Sequence, residues 1–230
     1  MNLICCLFTL IVTVLIPAGG FIFLLDHEEG YSKQFFAGAA TYVALYLFSV
    51  LPFLSQISNS LVSSGLIAMI FGSALLLGIV SEAARLMICR YYLGYRNMRY
   101  KDALSVGFGH WAVEALITVG FNVFIIFLNF SQQGAMVDPF MMVMTGLERL
   151  FDLPIMLLLS LLTIYSARTG KYITAGLAAV FHAIFNGTVT LLGVTGMSNI
   201  NILIVTGLTA VFCLFWVFKL KKLLYEEGTN

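Results

Sequence analysis

Long, unbroken apolar runs constrain this chain more than any other feature. They occupy nearly all of its 230 residues, 60% of which are hydrophobic and only 10% charged. A soluble domain carries about a quarter charged residues. A run of about 20 apolar residues is what a helix needs to cross a hydrocarbon core about 30 Å thick. The runs show no strand-like alternation, and in lipid a helix satisfies its own backbone hydrogen bonds. The fold class expected is therefore all-α: a polytopic membrane helix bundle of about seven transmembrane helices. One transmembrane domain over residues 1–230 is expected, with no soluble domain.

Helices are expected at about 3–25, 35–54, 63–92, 102–130, 138–168, 171–194 and 199–223. Short polar or glycine-containing connections separate them: Asp26 to Gly30, Ser55 to Ser60, Tyr95 to Lys101, Ser131 to Gly134, Thr169-Gly170 and Ser198-Asn199. Residues 1–25 lack a basic leader, and apolar sequence continues past Pro17-Ala18-Gly19-Gly20, so they read as a retained first helix. Basic residues flank alternate connections: Lys33, then Arg90, Arg96, Arg99 and Lys101, then Arg168 and Lys171, then Lys219, Lys221 and Lys222. The positive-inside rule makes that face cytoplasmic, with the N-terminus outside and the C-terminus inside. The four cysteines lie in apolar segments without metal-ligand spacing and read as small buried hydrophobes. Gly65, Gly72, Gly78, Gly107 and Gly109 read as sites of close helix approach. The Asn186-Gly187-Thr188 sequon lies within a helix and is discounted. His27 reads as a solvated loop residue. A net charge of +1 without a basic, aromatic-interleaved patch gives no indication of nucleic acid.

Ionisable residues within such helices are costly, and by default they mark function. Helix three carries Glu82 and Arg85 at i,i+3, helix four His110 and Glu114 at i,i+4, and helix six His182 and Asn186 at i,i+4. Each pair shares one helix face. Helix five carries Glu148, Arg149 and Asp152, then Pro154, which removes a helix hydrogen bond. At 1.5 Å rise per residue, Glu82 lies about 12 Å from Arg90, His110 about 13 Å from Lys101, and His182 about 16 Å from Lys171. Three helices thus bring Glu82, His110 and His182 to one level in the cytoplasmic half, with Glu114 and Asn186 a turn deeper. Such a set can cleave a peptide bond in two ways. Glu82 acts as general base on a water while His110 and Asn186 stabilise the oxyanion. Alternatively His110, His182 and a glutamate hold Zn, which activates the water. Both remain open at this point.

The order of these motifs is familiar. Glu-x-x-Arg (82–85), Gly-Phe-Gly-His-x-x-x-Glu-Ala (107–115), Glu148-Arg149 and His182-x-x-x-Asn186 resemble the YhfC-like family of intramembrane metalloproteases. That family is similar in turn to the CAAX-processing and bacteriocin-protection (Abi) endopeptidases. The resemblance covers about residues 78–190. It implies a helical bundle in the bacterial cytoplasmic membrane, with its site open to the cytoplasmic half. It also implies membrane-embedded or prenylated peptide substrates amid membrane lipids. Glu82, His110, His182 and Asn186 are the implied catalytic residues, and Arg85, Glu114, Glu148 and Arg149 support them. His110, Glu114 and His182 are the implied Zn ligands. Two positions depart from these patterns: Ser81 stands where the broader superfamily usually has the first of two glutamates, and Pro154-Ile155-Met156 occupies the region where many YhfC-like proteins place a histidine. Two other readings compete. One is an inactive relative that binds membrane peptides as an immunity or sensor protein. The other is a small transporter or proton-conducting bundle, against which stands the lack of an internal repeat.

Overall fold

A computed structural model describes residues 2–27, 31–50, 65–94, 98–133 and 137–222, which are helical almost throughout, with no strand among them. Among the described residues seven long helices follow one another: α1 (Asn2–Asp26), α2 (Tyr31–Ser49), α3 (Leu66–Tyr91), α4 (Tyr100–Leu128), α5 (Pro139–Thr169), α6 (Ile173–Val194) and α7 (Asn199–Leu220). Six of them are long and apolar enough to cross a membrane. The seventh, α2, has 19 residues and opens on the polar Tyr31-Ser32-Lys33-Gln34. The chain is an all-helical membrane bundle of six to seven spans.

Local chemistry sets the helix ends. α4 starts two residues earlier than the apolar run suggests, because the Arg99 backbone N–H donates to the Asp102 carboxylate at 2.6 Å and caps the first turn. α3 starts three residues later than expected, after Gly65, whose φ of +101° breaks the helix. Asp138 caps α5 by accepting from the Phe140 N–H at 2.9 Å, and Pro139 occupies the first turn. The helix runs through Pro154 and stops at Gly170, left-handed at φ +73°. Phe130–Gln133 forms a short helical turn where a plain connection was expected. The connection read at Ser55 to Ser60, and the side chain of His27, lie outside the described residues.

Lipid gives no hydrophobic drive to bring helices together, so close packing must do it. α2 and α4 cross at paired glycines. A Cβ on Gly38 would lie 1.9 Å from the Val106 carbonyl oxygen, and one on Gly109 would lie 2.1 Å from that of Phe35. Gly78 makes the same approach to Ala179 of α6, and Gly107 to Met156 of α5. α5 is the central post and packs against α1, α3, α4, α6 and α7. In its most apolar stretch 61% of residues are buried, against 28–33% in the other five spans. α1 and α4 each contain a π-helical turn, Ile11–Leu15 and Leu116–Gly120, and the two turns meet at Thr13 and Gly120.

The basic residues gather at one end of the bundle. Lys33 lies over the Tyr92 ring at 4.7 Å, Arg99 over Tyr31 at 5.6 Å and Arg90 over Tyr172 at 5.8 Å. These contacts tie the starts of α2, α4 and α6 to the end of α3.

Candidate functional site

Two polar groups lie along the central helix α5. The first is sealed. Glu82 of α3 accepts from Arg85 Nη1 with both carboxylate oxygens, each at 2.6 Å. Thr163 of α5 donates its hydroxyl to Glu82 Oε2 at 2.6 Å, and His182 Nδ1 of α6 stands 3.3 Å from Oε1. Glu82 and His182 are 2% exposed, Arg85 and Thr163 not at all. Three helices thus meet on one carboxylate. The i,i+3 spacing turns Arg85 back over Glu82, and the close approach at Gly78 brings α6 near enough for His182 to reach.

The second group lines a cavity of about 90 Å³ between α4, α5, α6 and α7. Glu114, Glu148, Arg149, Asp152, Asn186 and Met156 border it. Arg149 holds two of the acids, Glu114 Oε1 at 3.2 Å and Asp152 Oδ2 at 3.1 Å. Its carbonyl oxygen in turn accepts from the buried Trp111 indole N–H, which locks α5 to α4. The space is polar and large enough for several waters. By helical rise, Glu114 and Asn186 lie about 20 Å from the basic end of the bundle and Glu148 about 31 Å, whereas Glu82 and His182 lie about 14 Å from it. The sealed group therefore belongs to the basic half, and the cavity to the middle of the bundle and beyond.

His110 stands between the two. It is fully buried, within electrostatic reach of Arg85, His182 and Glu82, and edge-on to Tyr42. Its Nδ1 meets the Thr41 hydroxyl of α2 at 2.7 Å. Its Nε2 faces Glu114 Oε2 at 3.9 Å, too long for a hydrogen bond. Both of those atoms are buried without a hydrogen-bond partner.

Of the residues named from the sequence, the structure joins Glu82 with Arg85 and His182. It separately joins Glu114, Glu148, Arg149 and Asn186 around the cavity. His110 contacts the second set through Glu114 and shares no hydrogen bond with Glu82 or His182. Sequence reasoning gave no role to Thr41, Thr163 or Asp152. Asp152 carried a legible signal, since it lies three residues after Arg149 on the same helix face.

The donor types suit a metal, but the expected three-residue set does not assemble. Two donors on one tetrahedral Zn lie about 3.4 Å apart. Two acceptors bridged by one water lie about 4.5 Å apart at ordinary hydrogen-bond lengths. The 3.9 Å between His110 Nε2 and Glu114 Oε2 falls between these values. His182, the third ligand expected, is turned to Glu82 instead. Among the described residues, no three His, Cys, Asp or Glu side chains are grouped to hold an ion.

A family model described as YhfC intramembrane metalloprotease matches residues 126–209, which include Glu148, Arg149, His182 and Asn186 but neither Glu82 nor His110. The chain is also 22% identical to an uncharacterized membrane protein, YhfC, of Bacillus subtilis (strain 168), covering 92% of this chain and 93% of that protein. The chain is thus similar to YhfC proteins. No solved structure matches it. The YhfC-like motifs read from the sequence fall on both polar groups: Glu-x-x-Arg in the sealed one, Glu-Arg at the cavity. His-x-x-x-Asn is divided between them.

Proposed function

We propose that this YhfC-like chain is an intramembrane endopeptidase whose reacting water occupies the cavity between α4, α5, α6 and α7. The observation carrying this reading is the buried, unpartnered Glu114 Oε2 beside the unpartnered His110 Nε2, at the edge of a water-sized polar space. In one of the two mechanisms read from the sequence Glu82 acts as the base. Its two oxygens are taken by Arg85, Thr163 and His182, so no lone pair is left poised toward a cavity. Glu114 suits the task better. Arg149 fixes one oxygen and the other is left to accept a proton. Asn186 lines the same space and supplies an amide to a developing oxyanion. Glu148 and Asp152 set the local charge around Arg149. Glu82, Arg85 and His182 hold α3, α5 and α6 in register.

The cavity holds waters rather than a peptide, so the scissile bond is presented at its mouth from the lipid side. Membrane-embedded peptides, including prenylated ones, are the substrate class. The basic end of the bundle faces the cytoplasm in this reading, with the N-terminus outside. The test is hydrolysis of a transmembrane peptide library by the protein in lipid nanodiscs, read by mass spectrometry. Glu114→Gln lowers the rate at least about 100-fold, the usual scale of general-base catalysis, in protein that remains folded. Unchanged cleavage in that variant overturns the assignment of the base. Absence of cleavage by the wild type overturns the endopeptidase reading.

A second reading has specific support. Ser81 is fully buried, and its hydroxyl lacks a hydrogen-bond partner. Met156 presents a thioether to the cavity where a YhfC-like histidine is common. Both substitutions favour a relative that binds membrane peptides without cutting them. That protein retains peptide binding when Glu114 is changed to Gln.

A further inference from the structure

The contacts of His110 contain proton information that its motif does not. A threonine hydroxyl has a single proton to give. Thr41 Oγ1 lies 2.6 Å from the Gly38 carbonyl oxygen and 2.7 Å from His110 Nδ1. The carbonyl can only accept, so the hydroxyl proton points to it. Thr41 Oγ1 is then an acceptor toward the ring, and Nδ1 must carry the ring proton.

The opposite arrangement is worse at Thr41. If Thr41 donated to Nδ1, two oxygens 2.6 Å apart would face each other with no proton between them. At Nε2 the 3.9 Å to Glu114 Oε2 is beyond hydrogen-bond reach for either tautomer, so the Thr41 side decides. The framework leaves little room to relax. The α2–α4 crossing is so close that a Cβ on Gly38 would lie 2.9 Å from the His110 backbone nitrogen.

We propose that Thr41 is a positioning residue that holds His110 as the Nδ1–H tautomer, leaving Nε2 bare toward Glu114. The site then presents two facing acceptors, Nε2 and Glu114 Oε2. They receive the protons of one water or the charge of one cation. The catalytic use of this tautomer rests on the endopeptidase reading; the tautomer itself does not.

The test uses the full chain in nanodiscs with its three histidines ring-labelled in nitrogen-15. Long-range nitrogen–proton correlations distinguish the two neutral tautomers. Resonances are assigned with His27→Gln and His182→Gln variants. Wild-type His110 is expected to show a protonated Nδ1 and an unprotonated Nε2. Thr41→Val keeps the shape and removes the hydroxyl, and the Nδ1–H pattern is lost; Thr41→Ser restores it. A wild-type ring protonated at Nε2, singly or together with Nδ1, overturns the proposal. So does an Nδ1–H pattern that survives in Thr41→Val. Should that variant not fold, the wild-type spectrum alone decides. A protein with the Nδ1–H ring that cleaves no peptide leaves Thr41's role standing and removes the endopeptidase reading. Cleavage by a protein with the Nε2–H ring does the reverse.

Discussion

Replacing Arg85 with Met should cost far more than the size of the change suggests. Both carboxylate oxygens of Glu82 accept from Arg85 Nη1, and neither residue is more than 2% exposed. Removing the guanidinium leaves a charge in a low-dielectric interior with only Thr163 and His182 beside it. Breaking a buried pair from one side typically costs about 3–5 kcal/mol, because the partner's desolvation is no longer offset. For a chain of this size each kcal/mol moves the melting temperature about 2–4 °C, so Arg85→Met should lower it by about 6–20 °C. The double variant Glu82→Gln/Arg85→Met removes both charges and keeps an amide oxygen to accept from Thr163. Most of the loss should return. Thermal unfolding in one detergent, followed by circular dichroism across wild type, both singles and the double, closes the cycle. A single-variant cost below about 1 kcal/mol refutes the reasoning, since burial would then carry no penalty. So does a double that loses the sum of the two singles, which would mean no coupling. The same double variant bears on function: with Glu82 structural and Glu114 the base, it retains cleavage that Glu114→Gln lacks.

Two further outcomes follow from close contacts and from the cavity lining. Gly38→Val and Gly109→Val each drive a side chain into a backbone carbonyl at the α2–α4 crossing, where a Cβ has 1.9 or 2.1 Å. Both should lower the melting temperature by at least about 5 °C, on the scale of an overpacked core; unchanged melting shows that the crossing is looser than described. Met156→His adds an imidazole to a cavity already lined by Glu114, whose free oxygen faces His110. Zinc affinity measured by chelator competition should rise at least about 10-fold over wild type, and an equal affinity shows that position 156 cannot reach the other two donors.

The helices were readable because each apolar run has to cross the same thickness of hydrocarbon. Their ends were less so. The starts of α3 and α4 depend on the conformation of Gly65 and on one backbone bond to Asp102, which a hydropathy pattern does not contain. Pairs within a helix were legible from spacing alone, as with Glu82 and Arg85. The meeting of Glu82 with His182 was legible one step further, because helical rise places both at one depth. Partners across helices without charge were not. Thr41 and Thr163 look like any intramembrane threonine, whose default is to bond its own helix, as Thr13, Thr118 and Thr145 do here. The centrality of α5 was hidden as well. The sequence marks 138–168 as one more helix, and nothing in the pattern says that its charges face inward to Glu114 and the cavity.

The two polar groups are one device because α5 serves both. Thr163 reaches Glu82 from this helix, and Arg149 and Asp152 reach the cavity from it. Eleven residues separate Asp152 from Thr163, about 16 Å of continuous helix. The carboxylate that looks most reactive by motif, Glu82, is the one whose removal most disturbs the packing of α3 and α6 on that helix. Loss of activity in a Glu82 variant would therefore not identify a base, since a shift of about 1 Å in a supporting helix can itself cost about 100-fold in rate. Glu114 carries less of this ambiguity. Glutamine at position 114 keeps an oxygen for Arg149, Asp152 still pairs with that guanidinium, and the proton affinity of the group facing His110 is what changes most. It is there that the chemistry and the scaffold can be separated.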